Sequence, residues 1–167
     1  EVESNIADPD MLYASRSNGT FFRSDNVNAG TPTWTTVTQP MGGTIQAIET
    51  DPALPDAVYV GISDRVYRSL NKGATWTKIN VDLPFSVQCV LLDTSSPVKG
   101  IYVATLRSGC WYTATTMSSW VYFSAGLPGT ISVTDFERTF FAAFITWSAV
   151  TFSILPSISS GHAYPFP

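Results

Sequence analysis

Carboxylates, arginines, two thiols and one imidazole are the side chains of this sequence that could do chemistry. Asp8, Asp51 and Asp93 recur at intervals of 43 and 42 residues (8 to 51, 51 to 93), at the same point of a repeating unit. An active site is built once and a scaffold device is repeated, so these three are expected to cap the turn after a first strand, often with a following proline. Glu49, Asp64, Asp135 and Glu137 are not repeated. Two such acids a few ångströms apart would suit general acid and base work on a glycosidic bond. Nothing in their spacing makes any two converge, and they read as solvated strand-end residues. A cluster of arginines could hold a ligand carboxylate through paired hydrogen bonds. Arg23 and Arg68 recur and are expected to lay their stems along the sheet. Arg16, Arg65 and Arg107 stand near the turn between the second and third strands of each unit and form a candidate ligand rim. Trp111 and Tyr112, which do not recur, are the candidate stacking platforms for a sugar.

Cys89 aligns with Ala47, and Cys110 with Val66 and Phe21, so both are expected to be buried hydrophobes. They fall on the first and third strands of one unit, which are not neighbours, and this opposes a disulfide. With His162 as the one histidine, no metal-ligand cluster and no nucleophile-base arrangement is expected. Met41-Gly42-Gly43-Thr44 reads as a linking turn rather than a phosphate loop. No cofactor is implied.

The elements that must position these groups follow from an internal repeat. Trp34, Trp76 and Trp120 are 42 and 44 residues apart (34 to 76, 76 to 120), and Tyr13, Tyr59 and Tyr102 keep step with them. Gln39-Pro40, Leu83-Pro84 and Leu127-Pro128 follow the successive units. A period near 40–50 residues with strand-like composition is that of propeller blades. In the second copy, Thr44–Thr50, Ala57–Ile62, Arg65–Leu70 and Thr75–Asn80 read as four short strands, the last carrying Trp76 and Ile79 on one face. Turn chemistry separates them: Asp51-Pro52-Ala53-Leu54-Pro55-Asp56, then Ser63-Asp64, then Asn71-Lys72-Gly73.

The last of these joints, Ser69-Leu70-Asn71-Lys72-Gly73-Ala74-Thr75-Trp76, resembles the Asp-box, Ser-x-Asp-x-Gly-x-Thr-Trp, with Asn71 where Asp is usual. Asn71 is expected to bond turn amides, Gly73 to take positive φ and Trp76 to pack over the hairpin. The first copy, from Ser24-Asp25-Asn26 through Gly30 to Trp34, is stretched by three residues; the third keeps Trp120 but loses the acid and the glycine. On this basis residues 1–136 resemble the bacterial neuraminidase repeat propellers, a group that includes sialidase-, sortilin- and xyloglucanase-like proteins and shares no one function. The resemblance implies an all-β fold of four-stranded antiparallel blades, about three repeats near 1–43, 44–86 and 87–130, and the start of a fourth. It also implies extracellular or cell-surface placement. A sialidase would need unrepeated arginines and a tyrosine nucleophile, and Arg23 and Arg68 fail that role because they recur. The recurring tyrosines and tryptophans read as core.

Composition is that of a globular protein, 44% hydrophobic and 13% charged over 167 residues. With net charge −4 and nine Lys and Arg scattered singly, it has no footprint for nucleic acid. Two cysteines are too few for a stapled scaffold, and the opening residues show no targeting segment, so the chain reads as cut from something longer. Residues 137–167 form an apolar tail, with no charged side chain from Thr139 to Pro167. Its run Phe140–Leu155 is interrupted by Thr146, Ser148, Thr151 and Ser153 and falls short of the ~20 residues a membrane span needs. A hydrophobic closing strand or interface, an anchor and an aberrant chain end remain open readings, and after Asp135-Phe136 no second strand, tyrosine or box is expected. Three blades do not close a ring, since propellers use roughly 4–8, so further blades, in the same parent chain or by self-association, are expected partners. The functional expectation is a non-catalytic segment of a larger protein that binds a protein or carbohydrate ligand through its loops. The alternative is part of a glycoside hydrolase.

Overall fold

The computed structural model describes residues 1–5, 7–93, 100–114, 116–124, 136–137 and 151–152. Among these there is no helix, and three four-stranded antiparallel sheets follow one another along the chain. The first holds β1 (Val2–Ser4), β2 (Leu12–Ser15), β3 (Phe21–Ser24) and β4 (Thr35–Val37). The second holds β5 (Ile45–Asp51), β6 (Leu54–Ile62), β7 (Arg65–Ser69) and β8 (Thr77–Ile79). The third holds β9 (Val87–Asp93), β10 (Gly100–Thr105), β11 (Gly109–Ala114) and β12 (Val121–Tyr122). In each, every strand pairs with its neighbour in sequence. A two-residue ladder, β13 (Phe136–Glu137) with β14 (Thr151–Phe152), corrects the expectation that no second strand follows Phe136.

Pleat alternation sends successive residues of each inner strand to opposite faces. Val58, Val60 and Ile62 of β6 meet Met11, Tyr13, Phe21 and Val37 of the first sheet, whereas Ala57 and Tyr59 of the same strand meet Val87, Val90, Leu92, Ile101 and Val103 of the third. The second sheet is therefore buried on both faces, which explains why β6 reads as an unbroken apolar run from Ala57. Tyr102, Ala104 and Cys110 form a further cluster on the other face of the third sheet, with Cys89, Leu91 and Tyr112 packed against it.

Several expectations are corrected by these contacts. Trp76 and Ile79 lie on opposite sides: Trp76 packs on the first sheet's core and Ile79 on the core shared with the third. Three residues apart on extended backbone, they could not share a face. Trp76 does lie against Gly73 of its own turn, as expected, but it also reaches beyond it: its Nε1 donates to the Thr38 carbonyl at 2.8 Å, and Trp120 repeats the reach to the Val81 carbonyl at 3.0 Å. Each tryptophan is thus a strap to the preceding sheet. Trp34 is 46% exposed, not core, because among the described residues no sheet lies on that side. Trp76→Phe is expected to lower stability by about 1 kcal/mol, the usual worth of one such hydrogen bond, in urea unfolding of the full chain. An unchanged midpoint would show that the strap does not hold in solution. The turn after β5 is also tighter than expected, since β6 begins at Leu54 and only Pro52-Ala53 intervene.

Candidate functional site

Asp51 Oδ1 accepts from the Ala53 amide at 2.9 Å, and Asp8 Oδ1 from the Asp10 amide at 3.3 Å. These are the Asx geometries expected of turn caps. At the second joint, Ser69 Oγ accepts from the amides of Gly73 at 2.8 Å and Asn71 at 3.2 Å, while its hydroxyl donates to Asn71 Oδ1. Asn71 Oδ1 also accepts from the Thr75 amide at 2.8 Å, its amide group bonds Thr75 Oγ1, and Gly73 sits at φ +85°. In the first copy the turn acceptor is Asn26, not Asp25: Asn26 Oδ1 receives Ser24 Oγ and the Thr33 amide. Gly30 does not take the positive φ of Gly73 and has open space around it. The inserted residues move the turn, and Asp25 is released to pair with Arg23.

The candidate rim residues all stand at the connection from the second to the third strand of their sheets. Arg16 is exposed with its guanidinium 5.2 Å over the Phe22 ring. Arg107 is exposed in the β10–β11 turn at φ +70°. Arg65 is engaged with Asp82 at 3.0 Å and Asp64 at 3.7 Å. Trp111 is half-buried on the face toward the second sheet, donating Nε1 to the Ser108 carbonyl, with its ring 5.3 Å from that of Tyr122. Tyr112 lies on the opposite face, 4.9 Å from the Tyr102 ring. The pleat separates these last two, so they do not form one platform.

Asp82 gathers both Arg65 and Lys78, and these two hydrogen bonds, Arg65's foremost, hold its carboxyl down to about 2 from 3.8. A folded value below the unfolded one means that the pairing contributes stability above pH 3.8 and loses it as pH falls through about 2. An NMR titration of the Asp82 carboxyl should find its midpoint near 2; one near 3.8 would show the pairs absent in solution.

The acids read as unrepeated do not converge within the described residues, and Glu49 proves to recur, as Glu3 beside Tyr13 in the first sheet. Glu49 Oε1 accepts from the Leu92 amide of the next sheet at 3.2 Å, and Asp64 is near Arg65. Asp135 and His162 lie outside the described residues, and of Glu137 only the backbone is described. Among described residues no group of three or more His, Cys, Asp or Glu could hold a metal ion. Cys89 and Cys110 both pair in register with Ala104 from opposite sides, which keeps the thiols apart, and they form no disulfide with each other. Burial pushes the Cys110 thiol up, with the Ser124 bond opposing.

One polar pattern was missed by reading residues singly. Across the first sheet Glu3, Tyr13, Arg23 and Thr35 stand side by side, and across the second Glu49, Tyr59, Arg68 and Thr77 do the same. The third carries Leu91, Tyr102, Tyr112 and Val121 in that row. The two copies of the row face the seam with the following sheet: Glu49 reaches Leu92, and Arg23 Nη1 donates to the Lys72 carbonyl at 2.7 Å. Burial pushes the Tyr59 phenol up, with Arg68 opposing, and burial likewise raises Tyr13 beside Arg23. Aligning the repeats strand by strand would have revealed the row.

These stacked antiparallel sheets define the class: an open portion of a β-propeller, about three blades long. No family model and no curated protein matches the chain. Solved structures do. The GH74 enzyme of Niastella koreensis matches with TM-score 0.57 at 18% identity over 72% of this chain and 20% of its own. An ancestral GH74 enzyme matches with TM-score 0.57 at 18% identity, covering 77% and 20%. Sqt1 of Saccharomyces cerevisiae matches with TM-score 0.60 at 13% identity, covering 89% and 39%. At such identities the likeness is one of fold, and the chain spans a fifth to two fifths of those proteins.

Proposed function

We propose that this chain is an Asp-box propeller segment of a larger secreted or cell-surface protein, non-catalytic, binding a protein or carbohydrate ligand through its blade loops. The observation that carries this reading is where the recurring polar groups go. Ser69 and Asn71 close a turn, Asp8 and Asp51 cap turns, and Arg23 and Glu49 cross the seams. That chemistry is spent on the scaffold, and the proposed ligand-facing groups are those of the exposed connections that carry Arg16 and Arg107. Ser69-x-Asn71-x-Gly73-x-Thr75-Trp76 supports the Asp-box assignment, and further blades are the proposed structural partners. Nucleic acid is not a proposed ligand at net charge −4, nor is membrane insertion proposed.

The test is to offer the purified chain xyloglucan and a sialylated glycan, following retention and the release of reducing ends or sialic acid together. Retention without product is the expected result; turnover lost on replacing Glu49 or Asp64 would sink it. That second outcome belongs to the alternative, part of a glycoside hydrolase, which the GH74 likeness favours.

A further inference from the structure

Arg23 and Arg68 hold the same place in successive sheets, yet their partners differ atom for atom. Arg23 Nε donates to Asp25 Oδ2 at 2.9 Å, Nη2 lies 2.9 Å from the same oxygen, and Nη1 donates to the Lys72 carbonyl. Lys72 Nζ adds ion pairs to Asp25 at 3.6 Å and Asp56 at 3.7 Å. This network ties the first seam. In the second, Arg68 stands beside Tyr59 in register, but its Nε is buried without any partner among the described residues. One replacement accounts for the missing Nε partner, since Leu70 stands where Asp25 does; Thr116 stands where Lys72 does, so the second seam also lacks the lysine that pairs Asp25 and Asp56 in the first. A buried donor left unpaired is costly, the more so when charged.

Beside this guanidinium a cleft of about 150 Å³ opens between the second and third sheets, lined by Arg68, Thr77, Asn80, Ile101, Ala114 and Met117. Asn80 is anchored there by its bond to Thr113 Oγ1 at 2.7 Å. Met117, 39% exposed, adds apolar surface to the lining, and Leu70, two residues along the chain from Arg68, is 56% exposed. A carboxylate matches a guanidinium edge, as Asp25 shows on Arg23. The volume is on the scale of one side chain, and the flanking surface suits an apolar neighbour.

We propose that this cleft binds an acidic side chain of a partner polypeptide, flanked by an apolar residue, its carboxylate standing on Arg68 as Asp25 stands on Arg23. The inference rests on the reading of the chain as a ligand-binding propeller segment and names protein as the ligand. Fluorescence polarisation of a labelled peptide of alternating Leu and Glu, with the full chain, is the test, with the Leu/Gln peptide, polygalacturonate and acetate as comparisons. Binding of the Glu peptide should fall about tenfold or more for Arg68→Gln, since a charge-assisted pair is worth about 1.5–3 kcal/mol. Leu70→Asp should weaken it equally by supplying the missing carboxylate in the chain itself, while Leu70→Asn keeps it. Equal binding of the Gln peptide, or unchanged binding by Leu70→Asp, overturns the proposal. So does displacement by polygalacturonate or acetate at lower concentration than by unlabelled peptide. A wild-type chain that ignores the peptide overturns this inference alone, because the non-catalytic reading falls only on turnover of a glycan.

Discussion

Tyr59→Ala is expected to lower the unfolding free energy by about 3–5 kcal/mol, the range for truncating a large buried aromatic. Tyr59 is 1% exposed and sits among Ala47, Val66, Val87, Val90 and Val103, apolar groups of two different sheets. Its removal opens a cavity at a seam rather than inside one sheet, and the strands that line it are held in register by their own ladders, so collapse into the space is limited. Urea unfolding of the full chain measures it. Tyr59→Phe isolates the hydroxyl, whose contribution beside Arg68 should be only about 1 kcal/mol. A loss under about 1.5 kcal/mol for the alanine variant would mean that the second and third sheets do not pack together as described.

The second large effect is expected at Gly73. Its φ of +85° is one that side-chain-bearing residues adopt only with strain, about 1–3 kcal/mol. A Cβ there would also run into Val37 of the first sheet, adding about 1–3 kcal/mol of overpacking. Gly73→Ala should therefore destabilise by about 2–5 kcal/mol. Combining it with Val37→Ala should recover the overpacking part and leave the strain, so the two substitutions couple with a favourable sign in a double-mutant cycle. Strict additivity would show that the turn does not touch the first sheet. The position thus belongs to the seam as much as to the turn.

Much of the fold was legible in the residues. Ser63-Asp64 and Asn71-Lys72-Gly73 stand between strands as turn chemistry requires, and the pairing of each strand with its sequence neighbour follows from connections so short. Cys89 and Cys110 were correctly placed on non-adjacent strands by alignment alone. Errors arose where a residue answers to something outside its own hairpin. Trp76 was assigned to its turn alone, where it does touch Gly73, but it also straps the preceding sheet, and Trp34, identical in type and repeat position, is exposed for want of one. Asp25 was taken for a box acid, although Asn26 closes the turn and Asp25 serves Arg23 and Lys72. Repetition marked both arginines as scaffold, yet the identities of residues 25 and 70 give them different partners.

The sequence by itself determined the number of sheets, the order of their strands and the residues of their turns, because these depend on pleat alternation, turn stereochemistry and hydrogen bonds between residues close along the chain. Tertiary structure decided which neighbour each face meets and which polar atoms find partners. Those contacts join residues such as Arg23 and Lys72 or Trp76 and Thr38, whose spacing along the chain carries no stereochemical constraint. Only the stacking of one sheet on the next brings them within bonding distance, and only there does the missing partner of Arg68 become visible.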